Sequence, residues 1–125
     1  MSSYRDLEVY QLAHSLGVGI HKLSLRLPKH ELHETGGQLR RASKSVSANI
    51  VEGYGRRRYK QEFVRFLIYS QASCDETVEW LSYIKDIYPD LAAEAEEFLG
   101  RIGELGRKVN KFIQAVESGH RSEKP

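Results

Sequence analysis

The sequence predicts an all-α fold, an antiparallel up-and-down bundle of four helices. Three observations predict it. Apolar residues recur at spacings of four and three over long runs, the period of one helix face. No segment alternates apolar and polar residues long enough to make a strand. Two of the three prolines, Pro28 and Pro89, fall where the helical pattern stops.

The first helix is expected over residues 4–26. Val9, Ala13, Leu16, Ile20, Leu23 and Leu27 form a heptad seam along it. Gly17 and Gly19 interrupt it, each costing up to about 1 kcal/mol relative to alanine, which packing of the seam has to offset. Residues 27–34 read as a turn into the second helix. That helix is expected over residues 34–52, with Leu39, Ala42, Val46, Asn49, Ile50 and Gly53 on one face and Arg40, Lys44 and Ser47 on another. Ala42, Ser43, Ser45, Ser47 and Ala48 are small enough to admit a close neighbour. Gly53 and Gly55 are expected to end the helix, because glycine tolerates the left-handed cap conformation.

The third helix is expected over residues 60–88. Its core stripe is Phe63, Phe66, Leu67, Ser70, Cys74, Thr77, Leu81 and Ile84. A second apolar set contains Val64, Ile68, Tyr69, Trp80, Tyr83 and Ile87. One buried stripe suffices for a small bundle, so two imply apolar surface left for another chain. The fourth helix, residues 90–117, keeps heptad spacing through Leu91, Ala95, Phe98, Ile102, Leu105, Val109, Phe112 and Val116. Gly100, Gly103 and Gly106 run beside that seam. Residues 1–117 therefore read as one bundle domain, and the polar residues 118–125 as a disordered tail.

A chain of 125 residues is long enough to bury a core without staples. Its 40% hydrophobic and 29% charged residues are ordinary for a globular protein. Cys74 is the only cysteine, which excludes an intramolecular disulfide and suits a reducing cytoplasm. The first residues include acids and lack an apolar run, so no signal peptide is expected, and no stretch reads as a membrane span. Charge is segregated. Residues 40–65 hold eight bases and two acids, +6 against an overall +2, leaving the rest at −4. Such asymmetry points to an acidic partner, nucleic acid first.

The run from Gln38 to Arg57, centred on Ser45-Val46-Ser47-Ala48-Asn49-Ile50-Val51-Glu52-Gly53, resembles the signature of bacterial four-helix bundle proteins. These proteins were first noted as reading frames within intervening sequences of large-subunit ribosomal RNA genes. Glu62, Phe63, Phe66, Leu67, Ser70 and Ser73 continue the likeness, and Leu7, Val9, Gln11, Ala13, Pro28 and Glu31 fit its start. It covers most of residues 7–90; Tyr10 stands where the family often has tryptophan. The resemblance implies a left-handed bundle that assembles into a homopentamer, with no established enzymatic activity. A related branch looks like the accessory protein of diversity-generating retroelements, a basic pentamer that binds a reverse transcriptase and nucleic acid.

Candidate site residues follow from the charge. Arg56, Arg57 and Arg58, at a helix junction, are the first choice for phosphate contacts. Arg40, Arg41, Lys44, Lys60 and Arg65 are the second. Tyr54 and Tyr59 flank the arginines and are candidates for stacking on exposed bases. The plainer reading is a solvated charged face with ion pairs to a neighbouring subunit. Asn49, Glu52, Ser70 and Ser73 read as structural polar groups: Asn49 hydrogen-bonded to Ser70, Ser73 or backbone, Glu52 paired with an arginine. Gly53-Tyr54-Gly55 follows a helix rather than a strand, which argues against a phosphate-cradling loop. His14 and His21 lie one heptad apart, and His30 and His33 have no thiolate or carboxylate to complete a metal set. Asp75, Glu76 and Glu79 lack the Glu-x-x-His pattern of di-iron bundles. No metal or cofactor is expected, and Cys74 suits a buried position.

The expected function is therefore non-enzymatic: a homo-oligomer, pentameric by resemblance, that binds RNA or DNA, as an accessory to a reverse transcriptase or other nucleic-acid enzyme. The alternative is a protein-interaction scaffold whose arginines serve subunit contacts.

Overall fold

The computed structural model describes residues 3–119. The tail expected from residue 118 lies, from residue 120 on, outside the described residues. Four long helices form: α1 (Glu8–Ser24), α2 (Thr35–Gly55), α3 (Lys60–Ile87) and α4 (Ala92–Glu117). A 3-10 turn, Tyr4–Asp6, precedes α1, capped by Ser3, whose hydroxyl accepts the Arg5 N–H at 3.1 Å. A single helical turn, Lys29–Leu32, follows Pro28 and bridges α1 to α2. Among the described residues there is no strand, and no helix is long and apolar enough to cross a membrane.

Each long helix packs on its neighbour in sequence, and α1 also packs on α4. The helices thus make a closed ring of four antiparallel rods, a four-helix bundle. The start of α1, the end of α2, the start of α3 and the end of α4 share one pole. Lys60 at the start of α3 ties that pole together by donating from Nζ to the Glu117 carbonyl at the end of α4, at 3.1 Å.

The seams read from the sequence fill the core. All six apolar positions of the first seam are buried, from Val9 to Leu27. On α3 every residue of the expected core stripe is buried except Phe66, which is half-exposed. On α4 the strict heptad drifts. Phe98 and Phe112 are half-exposed, and Ile113 is buried in their place. A straight helix has 3.6 residues per turn, so a 3.5-residue seam slides by a position over this length. The buried serine and threonine hydroxyls are satisfied. Ser70 donates to the Val46 carbonyl at 2.8 Å, Thr77 to the Ser73 carbonyl at 2.7 Å, and Ser24 to the His21 carbonyl at 2.7 Å.

The glycine cap expected for the second helix does not form. Gly53 and Gly55 are helical, and the C-cap is Arg56, with φ −103°. Neither glycine has a positive φ; among the described residues only Gly119, beyond the end of α4, has one, at 94°. Packing requires glycine at 53 instead. A Cβ there would lie 3.1 Å from Phe66 Cβ and 3.3 Å from the Phe63 carbonyl oxygen, so α2 and α3 touch through that position. Gly19 plays a similar part against α4, where a Cβ would come within 2.9 Å of the Phe98 ring.

Cys74 is buried between α3 and α4, and burial pushes its thiol up to about 12, with nearby Asp75 adding to the shift. It is a thiol at neutral pH and packs as a small apolar group.

Candidate nucleic-acid interface

Extending α2 to Gly55 places Arg56, Arg57, Arg58 and Tyr59 in a tight turn at the shared pole. Backbone hydrogen bonds close it, from Arg56 N–H to Gly53, Arg57 N–H to Tyr54 and Tyr59 N–H to Arg56, at 3.0, 3.2 and 2.9 Å. Its side chains differ sharply in their contacts.

Arg56 is engaged on three sides. Its Nε lies 3.0 Å from Glu52, a terminal nitrogen lies 3.1 Å from Glu62, and its guanidinium sits 4.7 Å from the Phe66 ring centre. Glu62 also takes Arg65, at 3.0 Å. Arg56, Arg65, Glu52 and Glu62 thus form a neutral quartet. The pairing expected for Glu52 is present. Exposed pairs of this kind are worth roughly 0–1 kcal/mol, so they order the arginines without binding them irreversibly. Arg57 lies over the Tyr54 ring, 4.0 Å from its centre, and donates to the Tyr54 carbonyl at 2.9 Å. Arg58 is exposed and makes no pair among the described residues. The surplus positive charge of this pole is therefore carried by Arg57, Arg58 and Lys60.

The two tyrosines separate. Tyr59 is 64% exposed and stands beside Arg58. Tyr54 is 6% exposed and packs edge-on against Phe63, with ring centres 6.2 Å apart. It is not available to stack on a base, which corrects its assignment from the sequence. The cause is the longer α2. Tyr54 follows Ile50 by four residues, so a helix that continues through it turns the ring into the core. Its hydroxyl is buried and makes no hydrogen bond among the described residues. Replacing Tyr54 with Phe is accordingly expected to leave stability unchanged or raise it by up to about 1 kcal/mol, since an unpaired buried hydroxyl is removed. Urea unfolding followed by circular dichroism measures this directly.

The remaining bases do not join the turn. Arg40 and Arg41 lie about fifteen residues earlier on the same helix, roughly 22 Å away at 1.5 Å per residue. Arg40 is half-buried and fixed by bonds to the Ser24 hydroxyl at 2.9 Å and the Leu32 carbonyl at 2.8 Å. Arg41 and Lys44 are exposed. One basic stretch of sequence thus becomes two separate groups in space.

The polar residues act inside the bundle. Asn49 donates to the Ser45 carbonyl and hydroxyl, both at 2.9 Å, and Ser73 donates to the same Ser45 hydroxyl at 3.0 Å. Asn49 thus reaches a backbone group and meets Ser73 through Ser45, while Ser70 bonds elsewhere. Ser45 is the member of this network that the sequence reading missed. Its signal was its place four residues before Asn49. Among the described residues no group of three or more His, Cys, Asp or Glu side chains is placed to hold a metal ion.

Residues 5–111 match the model of a family described as 23S rRNA-intervening sequence protein. No curated protein matches the chain.

Proposed function

Because the chain belongs to the 23S rRNA-intervening sequence protein family, we propose that it is a non-enzymatic, self-associating bundle, a homopentamer, that binds single-stranded RNA at its arginine-rich pole. The observation that carries this reading is the turn itself. Arg57, Arg58 and Lys60 exceed the local acids, and the exposed Tyr59 ring beside them offers a stacking surface. Repetition of the pole around a ring would multiply its charge, which suits an accessory to a reverse transcriptase or another nucleic-acid enzyme. Self-association is supported by α3, where Ile68, Tyr69, Tyr83 and Ile87 are 45–51% exposed along its outer flank.

Two measurements test this. Fluorescence anisotropy with a labelled single-stranded RNA should show an affinity that falls steeply with salt, with a slope of about −0.7 for each phosphate neutralised. Binding that is absent, or flat against salt, rejects the reading. Light scattering should give the mass of an oligomer, and replacing Ile68 and Tyr83 together by Glu should reduce it to one chain with helicity retained. An unchanged mass would show that copies do not meet through α3.

A specific feature favours a second reading. A groove of about 490 Å³ beside the turn is lined by Lys60, Val64, Arg65, Ile68 and Tyr69. If a second copy fills it, the neighbouring arginines serve subunit contacts, and the protein is a scaffold with no role on nucleic acid.

A further inference from the structure

The second group of bases sits on a feature of its own. A groove of about 360 Å³ runs between α1 and α2, far from the arginine turn. His14, Val18, His21 and Lys22 line it from α1, and Lys44 and Ser47 from α2. Its floor is apolar along Gly17 and Val18, the latter 43% exposed. No carboxylate is among its lining residues. At the arginine pole acids alternate with bases, whereas here every titratable group lining the opening is a lysine or an imidazole.

We propose that this groove binds a phosphate group, the backbone phosphate of the strand bound under the reading above, held by Lys22, Lys44 and the protonated imidazole of His21, with the adjoining sugar or base resting on Val18. The inference rests on that reading for the source of the phosphate, and on the groove alone for its chemistry. A cationic rim over an apolar floor matches a group that is anionic at one end and flat and weakly polar at the other. The heptad spacing of His14 and His21 puts both imidazoles on one face of α1, two turns apart, so a strand laid along the groove meets them in succession.

The charges around His21 make the site sensitive to pH. His14 and Lys22 of α1 line the groove with it, and Lys44 and Arg40 act on it from α2. Glu8 on α1 pairs with Lys108, and Glu94 of α4 pairs with Arg26. Loss of water, then the fields of Lys44 and Arg40, hold His21 below the ordinary histidine range, so it is neutral in the empty groove at neutral pH. A phosphate between these cations offsets their field and favours the protonated imidazole, which raises its pKa. Binding then takes up a proton. Affinity rises as pH falls through the pKa of the bound form and levels off below that of the free form.

The test follows the His21 ring protons by NMR in the full chain across pH, alone, with inorganic pyrophosphate, and with a uridine-only RNA strand. The titration midpoint of His21 should rise by at least about half a pH unit with pyrophosphate and with RNA, and Lys44→Gln should remove most of that rise. RNA affinity should increase roughly threefold to tenfold from about pH 8 to about pH 6, and His21→Gln should flatten this dependence. A His21 midpoint unmoved by pyrophosphate overturns the groove as a phosphate site. If RNA binds while the midpoint stays fixed, the groove fails and the proposed function stands. If pyrophosphate moves the midpoint but the chain binds no RNA, the phosphate site stands and the proposed function fails.

Discussion

Reversing Arg56, Arg57 and Arg58 to Glu together is expected to abolish RNA binding while the helical circular dichroism spectrum stays intact. The turn is closed by backbone hydrogen bonds, to which these side chains add only the Arg57 bond to the Tyr54 carbonyl and the exposed Arg56 pair with Glu52. The reversal therefore does not unwind it. Binding suffers twice. Arg57 and Arg58 are lost as donors, and charge-assisted contacts are worth about 1.5 kcal/mol or more each. Two of them amount to roughly a hundredfold in affinity before any repulsion is counted. Repulsion then adds to the loss, because Glu at position 56 would join Glu52 and Glu62 in an acidic cluster. The single variants rank the residues. Arg58→Glu should weaken binding most and Arg56→Glu least, because Arg56 is already committed to Glu52 and Glu62. Equal losses in anisotropy would show that the quartet opens on binding. Unchanged binding with a reduced mass in light scattering would assign the arginines to subunit contacts.

The largest effect on stability is expected from Phe63→Ala. Phe63 is 1% exposed at the first turn of α3 and packs edge-on against both Tyr54 and Phe112, with ring centres 6.2 and 5.6 Å away. Three helices meet on this ring, and the backbone beneath it is already in contact with Gly53. The site therefore cannot collapse to fill the space. A loss of about 3–5 kcal/mol is expected, a large share of the roughly 5–15 kcal/mol typical of a folded domain. Urea unfolding should show a lower midpoint with an unchanged slope. A change under about 1 kcal/mol would mean that Phe112 and Tyr54 move in to replace it. The arginine turn rests on this cluster, so the variant should also loosen Arg57 over the Tyr54 ring.

The bundle was legible because apolar and small residues recur at spacings of three and four along four segments, and that repeat reports directly which face leaves water. The end of α2 was harder to read. Two glycines in three residues resemble a helix stop by local preference, yet the contact of Phe66 with Gly53 depends on a segment thirteen residues further on. Tyr54 was misjudged with it, since three arginines follow shortly after it in sequence while its neighbours along the helix face are Ile50 and Val46. The basic stretch divides in space for a related reason. Adjacent letters are close in a turn, but fifteen residues of helix carry Arg41 and Arg56 to different parts of the molecule. The groove between α1 and α2 had no linear signal, because it joins residues from two helices.

The alternation of helix direction sets the electrical character of the arginine pole. Two helix beginnings and two helix endings meet there, so their opposing peptide dipoles largely cancel. The field felt by an approaching polyanion must come from guanidinium and ammonium groups alone. Unlike a phosphate cradle built from main-chain amides, such a surface can be erased or inverted by changing a few codons, leaving the scaffold beneath it untouched.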